Sequence, residues 1–170
     1  MVIQQQQPLW YAFVTRPRHE KKVKTYLEQM SFDHYLPLRR TLNQWKDRKR
    51  WIEQPLFSCY IFVNIAYVNR YRVLELPSVV RVVGFGNEPT PVPQSDIEAI
   101  RLILGSRQEI EVVDRFLPGQ FVEIKNGPLA SMRGHIVDFR GSQWVEIYIE
   151  AIGKAVLVDI RENVVKRIDG

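Results

Sequence analysis

The sequence predicts an α+β protein in which an antiparallel sheet with packed helices is followed by a small five-stranded β barrel. Apolar residues recur at helical spacing between short β-branched runs as far as Gly105, and strand-like alternation dominates from Leu117 onward. Charge divides in the same place. Residues 1–105 contain 15 Lys and Arg against 9 Asp and Glu, whereas residues 106–170 contain 9 against 10. Two modules with different partners are therefore expected, the first of them close to a polyanion.

The first predicted module covers residues 9–105 and follows a tail at residues 1–8 that we expect to be flexible. Its opening strand is predicted at residues 9–15, which are aromatic and β-branched. The next elements are, in order, a helix after Pro17 with Val23 and Leu27 on its inner face, strands at residues 34–38 and 56–65, a helix at residues 67–76, a strand at residues 79–83 and a helix from Ser95. Glu98 completes a capping box with Ser95. Hairpin-length links between successive strands favour a mainly antiparallel sheet.

The second predicted module covers residues 117–170 and follows a polar, acidic linker at residues 106–116. Val145, Ile147 and Ile149 alternate with polar residues or Tyr148, as expected of a strand with one buried face. Turn dipeptides such as Asn126-Gly127 separate such segments at short intervals, which is typical of a small barrel.

Several function classes are not indicated by the sequence. A single cysteine, Cys59, excludes an internal disulfide, and the three histidines are too far apart to predict a metal site. We find no phosphate-binding loop, nucleophile elbow or paired carboxylates, so we expect no enzyme activity and no cofactor. Apolar runs fall short of the roughly 20 residues that a membrane helix needs, and the N-terminus lacks an export signal. We expect a cytoplasmic monomer.

Two blocks of sequence resemble known modules. Trp10-Tyr11, Pro55-Leu56-Phe57, the run from Tyr60 to Val63 and the run from Val79 to Phe85 are together similar to the N-terminal domain of the NusG family. Pro118-Gly119 with the strand that follows, Asn126-Gly127 and Arg133-Gly134 resemble a KOW module, which is an SH3-like barrel. The chain is identified as a member of the NusG family of transcription elongation and antitermination factors. A ribosome-associated or general RNA-binding KOW protein is the alternative.

The resemblance implies a docking surface for RNA polymerase. In this family the N-terminal domain contacts the clamp helices of the largest polymerase subunit, bridges the DNA cleft and suppresses pausing or termination. The residues that correspond to that surface are Phe57, Tyr60, Phe62 and Phe85, although packing in the core is the alternative role for each ring. Ser58 and Cys59 replace the Pro and the Gly or Asn usual between the first Phe and the Tyr, so the local turn geometry is left open.

Basic residues cluster in two places in the first module. The segment from Arg39 to Arg50 suits phosphate or single-stranded nucleic acid, because its cations displace counterions and Trp45 and Trp51 can stack on bases. A solvated hairpin with its tryptophans folded onto the sheet is the alternative. By resemblance to the RfaH branch of the family, the start of the first helix touches the non-template DNA strand, unless it is a plain solvent face. The nucleic-acid candidates are Arg16, His19, Lys22, Arg39, Arg40, Lys46, Arg48, Lys49 and Arg50.

The barrel is the effector end by the same resemblance. In general NusG proteins it binds the termination factor Rho or a small ribosomal subunit protein through a loop that here is Ile152, Gly153 and Lys154. Ile152 replaces a bulky aromatic residue, which favours a specialised, operon-specific RfaH-like paralogue. The density of Val and Ile together with four glycines opposes any refolding of this module into helices.

Overall fold

The computed structural model describes residues 6–44, 48–85, 88–106, 108–113, 119–160 and 165–168. The chain divides into two compact units, Met1–Gln94 and Ser95–Gly170. Each unit is described below by itself.

The first unit is built on an antiparallel sheet with helices. Its elements are, in order, β1 (Pro8–Thr15), α1 (Glu20–Gln29), β2 (Asp33–Tyr35), β3 (Leu38–Gln44), β4 (Lys49–Pro55), β5 (Tyr60–Ala66), a 3-10 turn (Tyr67–Asn69), α2 (Arg70–Leu74), β6 (Val79–Val82), β7 (Gly84–Phe85), β8 (Glu88–Pro89) and β9 (Pro91–Val92). The main sheet has the order β2-β5-β1-β6, and β9 also pairs with β1. Two smaller sheets consist of the pairs β3-β4 and β7-β8.

One hydrophobic cluster of the first unit lies on one face of this sheet, and Trp10, Ala12 and Phe62 are buried on the other face. The antiparallel register places Phe13 opposite Ile61 and Tyr11 opposite Val63, so these four side chains point to the same side. Val23 and Leu27 of α1, spaced by one helical turn, pack against them and are fully buried. Burial of a Leu, Val or Phe side chain stabilises by about 1.5–3 kcal/mol, so this cluster determines which face of α1 is buried.

The second unit is mostly β structure. Helix α3 (Gln94–Gly105) begins at the boundary between the units, and strands β10 (Ile110–Val113), β11 (Gln120–Ile124), β12 (Arg133–Phe139), β13 (Ser142–Ile149), β14 (Lys154–Asp159) and β15 (Val165–Arg167) follow, with a 3-10 turn at Glu150–Ile152. The sheet order is β10-β14-β13-β12-β11-β15, with antiparallel pairing throughout. Val145 and Ile149 have no more than 1% exposure, as the predicted alternation requires for the inner face. Glu146, which the alternation assigned to the polar face, is also buried, at 1% exposure.

A glycine sets the spacing between two strands of the second unit. A Cβ at Gly134 would lie 2.2 Å from the Glu146 carbonyl oxygen and 2.7 Å from a Val145 side-chain carbon. Any side chain there would push β12 away from β13, because the nearest contact is with backbone. This explains why glycine occurs within an otherwise regular strand.

The α+β fold class is confirmed, and the structure differs from the prediction in a few segments. Residues 110–113, predicted as part of a linker, form β10 and pair with β14. Helix α1 begins at Glu20 and not directly after Pro17, because Arg18 has a φ of 65° that is incompatible with a helix. The polar stretch at residues 39–53 forms most of the β3-β4 hairpin. Most of the predicted tail lies outside the described residues, and β1 starts at Pro8.

Candidate functional site

Two of the four predicted docking residues are buried. Phe57 is 1% exposed and Phe62 is 0% exposed, and their rings meet edge to face with centroids 6.3 Å apart. Phe62 also stacks on Tyr35 at 6.5 Å. Rings with no accessible area in this structure cannot offer contact area to a partner, so the expectation for Phe57 and Phe62 is corrected to core packing. The signal was ambiguous because residues 56–65 are apolar on both strand faces.

The other two predicted docking residues reach the surface. Tyr60 is half-buried at the start of β5, opposite Val14 of β1, and Arg81 of β6 lies opposite Val14 on the other side. Residues opposite one another in an antiparallel sheet point to the same face. Tyr60 and Arg81 therefore lie on the face away from the Phe13 core. Phe85 is 93% exposed in the short β7-β8 hairpin, which makes it the most exposed large apolar side chain among the described residues.

The turn before β5 is fixed by a buried carboxylate. Cys59 has a φ of 68°, the left-handed conformation that the usual Gly or Asn adopts easily, so Cys59 fills that backbone position at a steric cost. Its N–H donates to Glu20 Oε1 at 2.8 Å, and its carbonyl accepts from the Thr15 N–H at 2.8 Å. Glu20 lies at the start of α1 and is 4% exposed. Helix, turn and strand are thus joined directly below Tyr60. No pattern in the sequence indicates this role for Glu20.

The hairpin holds most of the predicted cations at the surface. Arg40, Arg48, Lys49 and Arg50 are exposed, and Arg39 is half-buried. Lys46 and Trp45 lie outside the described residues. Trp51 is 59% exposed, so the alternative in which this tryptophan folds onto the main sheet is wrong.

The cations at the start of α1 have different surroundings. Arg16 and Lys22 are exposed, and the Lys22 ammonium lies 5.9 Å from the centre of the Tyr26 ring. His19 is half-buried, and its Nδ1 is hydrogen-bonded to Ser78 Oγ at 2.7 Å. The Lys21 ammonium donates to the Glu53 carbonyl oxygen at 2.8 Å. This last contact joins α1 to β4, so the two basic clusters predicted separately are adjacent in the structure.

The barrel loop differs from the expected effector surface. Ile152 is only 7% exposed at the end of the 3-10 turn, which corrects the expectation that this side chain meets a partner. Gly153 follows in the left-handed conformation with a φ of 61°, and Lys154 is half-buried. Tyr148, which the sequence analysis treated as the outward position of a strand, is 42% exposed, and a Cβ at Gly153 would lie 4.0 Å from its hydroxyl. Tyr148 is thus the exposed aromatic residue beside this loop.

Among the described residues, no group of three or more His, Cys, Asp or Glu side chains is placed to hold a metal ion. No described helix is both long enough and apolar enough to cross a membrane.

Comparison with known proteins gives the family. The family model described as transcription termination factor nusG matches residues 8–101, which is more than half of the chain. The chain belongs to the NusG family. It is therefore a transcription factor and not an enzyme.

Relatives in this family match along nearly the whole chain. The transcription termination/antitermination proteins NusG of Halalkalibacterium halodurans and Helicobacter pylori are 24% and 23% identical, and each match covers 94% of this chain and 98% of the relative. A solved structure of Thermotoga maritima NusG superimposes with a TM-score of 0.58 at 22% identity, covering 96% of this chain and 98% of that one. That likeness supports the fold.

Proposed function

We propose that this chain is an elongation and antitermination factor that binds RNA polymerase across the DNA cleft and suppresses pausing or termination at particular operons. The observation that supports docking is the exposure of Phe85, at 93%, on a module whose family membership is shown. Leaving a phenylalanine in water forgoes about 1.5–3 kcal/mol of burial. An exposed ring of this kind is available to a partner, and aromatic residues are enriched in protein interfaces.

The docking surface we propose combines Phe85 with Tyr60, and the clamp helices of the largest polymerase subunit are the expected partner. Tyr60 is half-buried, so it can add contact area while its phenol end stays in water. Phe57 and Phe62 are buried against each other and are not part of the proposed contact. A factor without chemistry of its own can act only through differential affinity, here by binding the closed, elongating polymerase more tightly than the paused state.

Nucleic acid of the transcribing complex is the second proposed ligand of the first unit. Arg16, Lys22 and the exposed hairpin cations supply the charge, and the non-template strand is the expected target. For the barrel we propose that Tyr148, Gly153 and Lys154 form the effector contact in place of the buried Ile152. Rho and a small ribosomal subunit protein are its two candidate partners.

The decisive experiment is copurification with the tagged full-length chain. We expect RNA polymerase subunits to be recovered, whether or not ribosomal subunits accompany them. Recovery of ribosomes without polymerase would favour the ribosome-associated alternative and reject the proposal.

Two surface variants then test the docking residues. Phe85→Ala and Tyr60→Ala should each weaken binding to purified polymerase by roughly tenfold or more, since an apolar contact contributes about 1.5–3 kcal/mol. Both should leave the melting temperature nearly unchanged, because little packing is lost. Phe62→Ala is the matched comparison, and it should lower the melting temperature markedly because its ring is fully buried. Normal polymerase binding by both folded surface variants would remove this docking surface from the proposal.

A further inference from the structure

One face of the β3-β4 hairpin combines apolar and cationic side chains. In the observed register Leu42 lies opposite Trp51 and Gln44 lies opposite Lys49, so these residues share a face with Arg40. Leu42 is 48% exposed and Trp51 is 59% exposed. The opposite face is polar or mixed. Two large apolar side chains therefore lie side by side in solvent on a hairpin whose described strands pair only with each other.

The Trp51 ring has a cation beside it. The Arg40 guanidinium carbon lies 5.8 Å from the ring centroid, within the range of a cation–π contact. Arg40 is also directly opposite Glu53, so this arginine is positioned between an aromatic residue and a carboxylate. The ring is thus held on the hairpin surface with a substantial area still open to solvent.

Basic side chains outnumber acidic ones on this face. Arg40 and Lys49 share the face with Glu53, and Arg48 directly precedes β4. Arg39 and Arg50 lie on the opposite face of the hairpin. The contact from Lys21 to the Glu53 carbonyl continues the basic surface onto α1, where Arg16 and Lys22 are exposed. An acidic protein surface would complement the charge alone. A polyanion that also has flat rings complements both the charge and the exposed indole.

We propose that this face is a single-stranded nucleic-acid site in which one base stacks on Trp51 beside Leu42, Arg40 and Lys49 contact the phosphates next to that base, and the strand continues toward α1. This proposal rests on the proposed function, because the transcribing complex would supply the single-stranded nucleic acid that the site binds. Duplex nucleic acid is the poorer ligand, because its bases are stacked on each other and have no free face for the indole. DNA and RNA strands share this chemistry, and the test separates them.

The test measures binding of the full-length chain to a labelled oligothymidylate of about 12 nucleotides by fluorescence anisotropy. Trp51→Ala should weaken binding about 5- to 150-fold, the range for loss of one stacked base. Trp51→Phe should keep most of the affinity, because it retains an aromatic face. An abasic strand of the same length should bind Trp51→Ala and the unchanged chain equally, since it presents phosphates without bases.

Charge and stacking are separated by salt. Arg40→Gln should lower the slope of log affinity against log salt by about 0.7 for a single strand, whereas Trp51→Ala should leave that slope unchanged. Tyr71→Ala is the matched control, because Tyr71 is 57% exposed on the same unit and lies outside the hairpin. It should bind like the unchanged chain. Oligouridylate in place of oligothymidylate shows which kind of strand is preferred.

Three results would each overturn the proposal. The first is equal binding of the oligothymidylate by Trp51→Ala and the unchanged chain, and the second is an equal loss of affinity by Trp51→Ala on the abasic strand. The third is equal affinity of the unchanged chain for duplex and single strands. Binding to polymerase without nucleic acid is measured in parallel with the same variants. If the proposed function is wrong, the unchanged chain will not bind polymerase in that measurement, whatever the result with oligonucleotides.

Discussion

The turn before Tyr60 gives the sharpest test of how this fold positions the proposed docking surface, and the perturbation is Glu20→Ala. Glu20 is 4% exposed, and its carboxylate accepts the Cys59 N–H at 2.8 Å. Removing the carboxylate leaves that half-buried N–H without this acceptor, at the residue whose φ of 68° is already costly. We therefore expect both destabilisation of the first unit and misplacement of Tyr60.

The magnitude follows from the bond and from the burial of Glu20. Loss of a hydrogen bond to a buried charged group, with its donor left unsatisfied, costs about 2–3 kcal/mol. For a domain of roughly 60–100 residues, 1 kcal/mol changes the melting temperature by roughly 4–8 °C. Glu20→Ala should accordingly lower the melting temperature by about 10–20 °C. Glu20→Gln should lower the melting temperature by less, because its amide oxygen can still accept a hydrogen bond from the Cys59 N–H.

The assay combines thermal unfolding with amide hydrogen exchange at Cys59. Glu28→Ala is the matched control at the other end of α1, where the carboxylate is 48% exposed and paired with Lys24. It should leave the melting temperature nearly unchanged, since exposed ion pairs contribute little. If the Cys59 amide exchanges faster in Glu20→Ala but not in Glu28→Ala, the loss of stability arises in the turn. A melting temperature for Glu20→Ala within about 2 °C of the unchanged chain would refute the reasoning.

Two further predictions concern the second unit. Gly134→Ala should destabilise it by about 1–3 kcal/mol, because the added Cβ would lie 2.2 Å from the Glu146 carbonyl oxygen. Denaturant unfolding measures this loss. Gly105→Ala is the control and should not destabilise the unit, because a Cβ there has no heavy atom within 4 Å. Burial, with Glu150 nearby, raises the pKa of Asp96, so the ionised carboxylate opposes folding once the pH exceeds its ordinary pKa of about 4. Asp96→Asn should therefore raise the melting temperature at pH 7 and lose this advantage below about pH 4; an equal gain at both pH values would contradict the assignment.

The sequence predicts most of the fold where one face of an element is buried. Residues 9–15 and the alternation of Val145, Ile147 and Ile149 correspond to β1 and β13, because a half-buried strand needs that pattern. The hairpin at residues 38–55 has almost no such pattern. Its side chains are mostly exposed on both faces, so hydrophobic periodicity does not indicate a strand there. Strand β10 was missed for a related reason, since it is short and lies in a polar, acidic segment.

The candidate site could be predicted by residue type but not by exposure. Phe57, Phe62 and Phe85 are the same residue type, yet two are buried and one is 93% exposed. The difference comes from tertiary structure, because Phe57 and Phe62 pack on each other whereas Phe85 lies in a two-residue strand beyond the main sheet. In the second unit, too, residue type does not predict exposure, since Ile152 is 7% exposed and Tyr148 is 42% exposed.

The exposed aromatic residues of the first unit separate two kinds of contact. Phe85 lies in the short β7-β8 hairpin, and no cation–π contact to its ring is found among the described residues, which suits an apolar protein surface. Trp51 lies among arginines and lysines, which suits a charged strand. If each ring serves its own ligand, Phe85→Ala should reduce polymerase binding and Trp51→Ala should reduce strand binding. A factor with two independent weak contacts would then favour the one state of the transcribing complex that presents both ligands together, because linked contacts increase the apparent affinity beyond either alone.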